Sequence, residues 1–129
     1  MGILDDISSA AYDLKRGVLS ELTPVARNFT IVRDTPEAGS NILSAYRVFS
    51  YETCVAHVCK TFEGELLVLV KRDAFYRSTT TSKHVRRFLN ALVARIDWDA
   101  LYKACNKACD DAVTNSYGNP FVNVSQFTY

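Results

Sequence analysis

Residues 75 to 92, FYRSTTTSKHVRRFLNAL, hold the densest collection of side chains able to bind something. Four hydroxyls, Thr79, Thr80, Thr81 and Ser82, run directly into a segment carrying Lys83, His84, Arg86 and Arg87. A hydroxyl at a helix N-cap accepts a backbone N–H and stabilises the helix by about 1 kcal/mol. The helix start behind it presents unpaired N–H groups and a partial positive charge, which suits an anion. One hydroxyl suffices as the cap, so the others are left to donate to a ligand. Lys83, Arg86 and Arg87 lie within two turns and add charge-assisted bonds. Tyr76 and Arg77, just upstream, add a ring and a guanidinium. The expected anion-binding set is therefore Tyr76, Arg77, Thr80, Thr81, Ser82, Lys83, Arg86 and Arg87, with phosphate as its natural ligand. The glycines that let a P-loop wrap a phosphate are missing. A capped helix with a solvated outer face would have the same sequence, so position in the fold decides between the two.

Charge is segregated along the chain. Residues 71 to 96 carry seven basic residues against the single acid Asp73, whereas the remainder holds eight basic and thirteen acidic residues, for a net charge of +1 over 129 residues. The chain as a whole is no polycation, and any nucleic-acid contact must come from its basic middle. Aromatic residues interleave with the basic ones there and before it: Tyr46, Phe49, Tyr51, Phe75 and Tyr76 near Arg47, Lys71, Arg72 and Arg77. Sheets that stack bases on rings use such mixtures, although core packing uses them too.

Other candidate chemistry is thin. Neither Cys54/Cys59 nor Cys105/Cys109 has the C-x2-C spacing of a zinc turn, and in a straight strand Cys54 and Cys59 face opposite ways. Neither a metal site nor a cofactor is expected, and the thiols read as free packing residues. His57 sits in a strand pattern as a half-buried side chain; His84, in the first turn of a basic helix, is disfavoured as a cation. No nucleophile, base and orienting acid stand in a recognisable context, so no catalytic residue is assigned.

The elements that must position these residues follow from periodicity. Ile3, Ile7, Ala10, Ala11, Leu14, Val18 and Leu22 recur at helical spacing, predicting an amphipathic helix over 3–22 that Thr23-Pro24 ends. NFTIVRD is a short strand and TPEAGSN, 35 to 41, a loop. SAYRVFSYETCVAHVCK reads as one long strand, TFEGE as a turn using Gly64, LLVLVKR as a buried strand and AFYRS as a third short one. Helices are expected over about 82–96, with Val85, Phe88, Leu89, Leu92 and Ile96 as the buried stripe, and from Asp97 or Asp99 to about Val113. The tail, with Tyr117, Phe121, Phe127 and Tyr129, closes the sheet or docks on something. The expected fold is α+β in one domain, 1–129: an N-terminal helix, a small antiparallel sheet of three to four strands, two C-terminal helices and an extended tail.

The N-terminus lacks a secretory pattern, Asp6 stands where myristoylation wants Ser or Thr, and no apolar run approaches the roughly 18 residues of a membrane span. A cytoplasmic protein without a membrane partner is expected, which makes the sequons at Asn28 and Asn123 chance matches.

The combination YRVFSYETCVAHV and LLVLVKRDAFYRSTTTSKHVRRFL, about residues 46 to 89, resembles a small bacteriophage-encoded domain of uncharacterised function, with an SYxTxxA strand, a hairpin and a YSxTTSKHxxxFL segment. The matching positions are Ser50, Tyr51, Thr53, Ala56, Tyr76, Ser78, Thr80, Thr81, Ser82, Lys83, His84, Phe88 and Leu89; Arg77 and Thr79 are additional here. The resemblance implies a phage accessory origin, acting in the host cytoplasm, and no activity. Three functions are then expected, in order. The first is a non-enzymatic protein engaging phosphate on nucleic acid or a nucleotide-like ligand, including an anti-defence inhibitor that mimics or blocks the substrate of a host nucleic-acid-handling complex. The second is a structural subunit that homo-oligomerises through helix 3–22 and the tail. The third is an enzyme of unnamed reaction.

Overall fold

The computed structural model describes residues 2–115 and 120–129. Among them are six strands and four helices: α1 Ile3–Arg16, β1 Leu22–Ala26, β2 Phe29–Asp34, β3 Ile42–Ser50, β4 Thr53–Thr61, β5 Leu66–Val70, α2 Asp73–Tyr76, α3 Thr79–Leu92, α4 Trp98–Asn115 and β6 Val122–Asn123, followed by a 3-10 turn at Val124–Phe127. The strands form one antiparallel sheet in the order β1-β2-β3-β4-β5-β6. The fold is mixed α and β, but the expected sheet of three to four strands is corrected to six, and there is a fourth helix.

Each difference has a local cause. Helix α1 stops at Arg16 because Gly17 takes φ = 75° and its N–H bonds the carbonyls of Asp13 and Leu14. Leu22 is consequently freed to open β1, an edge strand that tolerates Pro24 because an edge residue needs no ladder N–H. The expected long strand is two strands, folded at Tyr51–Glu52; Tyr51 takes φ = 55° where turns of this length usually place Asn or Gly. AFYRS is a helical turn instead of a strand. Helix α3 begins at Thr79 and ends at Leu92, so Ile96 lies beyond it, bridged to Thr128. Asp97 caps α4, accepting the Ala100 N–H at 3.2 Å. The tail closes the sheet for two residues against β5; Tyr117 lies outside the described residues.

One apolar cluster joins the helices to a single face of the sheet. It takes Ile7, Ala10, Ala11 and Leu14 from α1, Phe75 from α2, Val85, Phe88 and Leu89 from α3 and Leu101 and Cys105 from α4, packed on Phe29, Ile31, Tyr46, Val48, Val58, Val68 and Val70. Of the apolar stripe expected over 3–22, Ile7, Ala10, Ala11 and Leu14 are buried within the chain, whereas Ile3, Val18 and Leu22 are exposed. No helix among the described residues is long and apolar enough to cross a membrane.

Candidate nucleic-acid interface

One hydroxyl of the run, Thr81, turns inward. Ser78, one residue before the expected run, is the N-cap of α3: its Oγ accepts the Thr81 N–H at 3.0 Å and donates to Thr81 Oγ1 at 3.0 Å. Thr81 is buried, and its Oγ1 lies 2.8 Å from Ser50 Oγ at the end of β3. This chain of three hydroxyls bolts the start of α3 to the sheet, so Thr81 has nothing left to offer a ligand. Thr80 is exposed and Ser82 half-buried.

The basic side chains divide three ways. Arg87 lies along α1, donating through Nε to Ser8 Oγ at 2.7 Å and pairing with Asp5 at 3.3 Å. Arg77 hydrogen-bonds Thr53 Oγ1 and lies 5.6 Å over the Tyr51 ring, where it holds the β3–β4 turn. Lys83 and Arg86 remain turned outward, and with Leu4, Arg87 and Asn90 they line a shallow groove of about 330 Å³.

Arg86 opens a continuous run of rings and guanidiniums. Its Cζ stands 5.4 Å over Trp98, Trp98 lies 5.9 Å from Tyr102, Tyr102 lies 6.3 Å from Tyr76, and Arg72 stands 5.3 Å over Tyr76. Phe75 backs the run from the core, 4.9 Å from Tyr102, and Asn106 donates to the Tyr76 hydroxyl at 3.1 Å. Burial raises the Tyr102 phenol above its ordinary pKa while the charge of Arg86 pulls the other way. The acids bordering this run, Asp73 and Asp99, face Lys71 at 3.9 Å and Lys103 at 3.0 Å. Of the expected set, Tyr76, Lys83 and Arg86 come together here. Arg72, Trp98 and Tyr102 are additions. Trp98 and Tyr102 are one helical turn apart, a signal legible in the sequence, whereas their meeting with α2 and α3 depends on docking.

On the opposite face of the sheet lies a pair that strand alternation hides. Val48 pairs with Ala56 but Phe49 with Cys54, so Val55 is an extra residue in β4. Val55 and Ala56 both point inward, which turns Cys54 and His57 out together, Sγ to Nε2 3.7 Å apart. Burial pushes the Cys54 thiol up and the His57 imidazole down, so the pair rests as neutral thiol and neutral imidazole. No carboxylate among the described residues hydrogen-bonds His57, so the arrangement of an activated nucleophile is incomplete. His84, also lowered by burial, packs edge-on to Phe29 at 6.1 Å. Cys105 is buried in α4, its thiol raised to about 11 by burial and by Cys109. No three potential metal ligands cluster among the described residues.

Residues 19–104 match the model of a family of unknown function, DUF8033, and the chain belongs to that family. The matched segment contains the whole run from Arg72 to Tyr102 and leaves out Asp5, Ser8 and Asn106. No curated protein and no solved structure matches the chain.

Proposed function

We propose that this protein is a non-enzymatic nucleic-acid-binding protein whose contact surface is the helical face around α2, α3 and α4. Lys83, Arg86 and Arg72 neutralise phosphates, and the rings of Tyr76, Tyr102 and Trp98 supply stacking surface for unpaired bases. The observation that carries this reading is the unbroken order Arg72–Tyr76–Tyr102–Trp98–Arg86, with Lys83 one turn away. Guanidiniums already stacked on rings are held in place, so little side-chain freedom is lost when they meet a phosphate. A phage-type accessory role, in which this face blocks a host nucleic-acid-handling complex, belongs to the same reading.

Fluorescence anisotropy with labelled single-stranded and duplex DNA and RNA tests it. Three neutralised phosphates make affinity fall about tenfold or more between about 50 and about 200 mM salt. Lys83→Glu/Arg86→Glu flattens that dependence while circular dichroism stays unchanged. Absence of binding to all four probes, or binding indifferent to the double variant, overturns the reading.

A further inference from the structure

The three rings of the helical run stand at a spacing that the fold sets. Tyr102 lies 6.3 Å from Tyr76 and 5.9 Å from Trp98, with interplanar angles of 69° and 42°. Each ring is held where it is. Phe75, itself buried, backs Tyr102 at 4.9 Å and Trp98 at 6.1 Å, and Asn106 donates to the Tyr76 hydroxyl at 3.1 Å. Trp98 and Tyr102 sit one turn apart on α4, so neither can slide toward the other. A strand within a duplex keeps its bases parallel and about 3.4 Å apart. Rings 5.9 and 6.3 Å apart, and tilted to one another, cannot each take one base of such a strand.

On the premise that this run binds nucleic acid as proposed above, we infer that its ligand is an extended, unstacked single strand, and that it prefers pyrimidine-rich to adenine-rich sequence. Only a strand whose successive bases have separated and turned lays one base on each ring. The cost of that separation differs between bases. An adenine inside a single-stranded stack gives up contacts on both of its faces and recovers one ring. Thymine and uracil stack weakly on their neighbours, give up little and gain the same ring. The preference therefore comes from the flexibility of the strand and needs no hydrogen bond to a base edge. Arg72 and Arg86, at the two ends of the run, meet phosphates that every sequence carries, so they add affinity without altering the preference. Three rings between two guanidiniums make a footprint of about four nucleotides.

Anisotropy titration of the full chain with labelled oligo-dT, oligo-dA and the duplex of the two, each about 12 nucleotides long, tests this preference. Oligo-dT is expected to bind about fivefold or more tighter than oligo-dA, with the same salt dependence for both because the same cations meet both backbones. It is also expected to bind tighter than the duplex, although the duplex carries twice the charge per unit length. Salt-sensitive binding with oligo-dA or the duplex equal to or tighter than oligo-dT overturns the strand preference and leaves the nucleic-acid reading standing. Absence of binding to all three overturns both. Tyr102→Leu removes the middle ring and is expected to bring oligo-dT and oligo-dA to within about twofold while the salt dependence stays. A folded variant that keeps the full preference overturns the assignment to the rings. Should that variant fail to fold, an oligo-dT length series on the wild type decides. Affinity is expected to climb steeply up to about four nucleotides and only slowly beyond. A rise merely in proportion to length overturns the inference.

Discussion

The helical side and the bare side of this sheet show two ways of presenting aromatic and cationic groups. On the helical side, Arg72 and Arg86 lie over Tyr76 and Trp98 without a carboxylate partner among the described residues, so their charge remains available. On the bare side, Arg47 lies over Phe49 in the same manner, but Asp34 grips it through both oxygens. The same ring–guanidinium contact leaves Arg72 and Arg86 uncompensated and Arg47 compensated. The difference is the carboxylate, not the stacking. One side leaves its guanidiniums open to an anion, and the other holds its guanidinium on a carboxylate.

The sharpest way to break this comparison is to remove a ring while keeping an apolar side chain in its place. Trp98→Leu preserves apolar packing against Phe75 and Tyr102 and takes away the surface that holds Arg86. Affinity for single-stranded nucleic acid is expected to fall by about 2 kcal/mol, roughly 30-fold, if a base stacks in this run. An unchanged affinity by anisotropy would detach the aromatic run from binding.

Next in size is the hydroxyl chain. Thr81→Val keeps the shape of a buried side chain and leaves Ser50 Oγ without its 2.8 Å partner. An unsatisfied buried hydroxyl costs about 1 to 2 kcal/mol, to be read by urea denaturation. Nucleic-acid affinity is expected to be unchanged in the folded variant. A fall in affinity at intact stability would return Thr81 to the binding set.

These two variants also mark what could be read before folding. The stripe of α3 and the outward lie of Lys83 and Arg86 follow from helical spacing and are legible in the sequence. That Ser78, and not a later hydroxyl, caps the helix is a matter of one residue among five consecutive hydroxyls, and Thr81 is drawn inward by Ser50, 31 residues away. The β3–β4 turn escaped because Tyr51 carries a positive φ without the glycine that announces one, so two strands look like one. The extra residue Val55 then inverts the alternation beyond it, and Cys54 joins His57 on a face that strict parity denies it. Strands β1 and β6 carry weak signals, one holding a proline and the other two residues long. What stayed hidden in each case is a tertiary contact or a single backbone irregularity.

Acid should weaken the fold by a smaller amount, and through both sides at once. Burial lowers the pKa of His57 on the bare face and of His84 under the helices below the usual 6.5. The unfolded chain therefore takes up protons first as pH falls. Stability is fully present above about 6.5, declines below it, and levels off once the folded imidazoles titrate too. For His57 the nearby Asp34 opposes the shift, while Arg47 and Lys71 reinforce it. Urea midpoints at pH values bracketing this window check the sign, and His57→Gln should remove the bare-face share of the slope. A midpoint that rises on acidification would contradict the placement of both imidazoles.

The smallest expected effect concerns Arg87, the basic residue of α3 that is paired with α1. Arg87 reaches Asp5 and Ser8 on α1, both outside the family-matched segment, so an element beyond that segment quiets a charge within it. The pair is exposed, and its loss in Asp5→Asn should lower stability by about 0.5 kcal/mol or less. It should also release Arg87 toward the groove that Lys83 and Arg86 share with it, raising nucleic-acid affinity about twofold and steepening its salt dependence by a fraction of one phosphate. Asp6→Asn changes the net charge identically without touching Arg87 and serves as the reference. Equal affinities for the two variants would mean that only the overall charge matters. A gain confined to Asp5→Asn would mean that α1 sets how much of the basic face is open, which is the condition the bare face reaches more completely through Asp34 and Arg47.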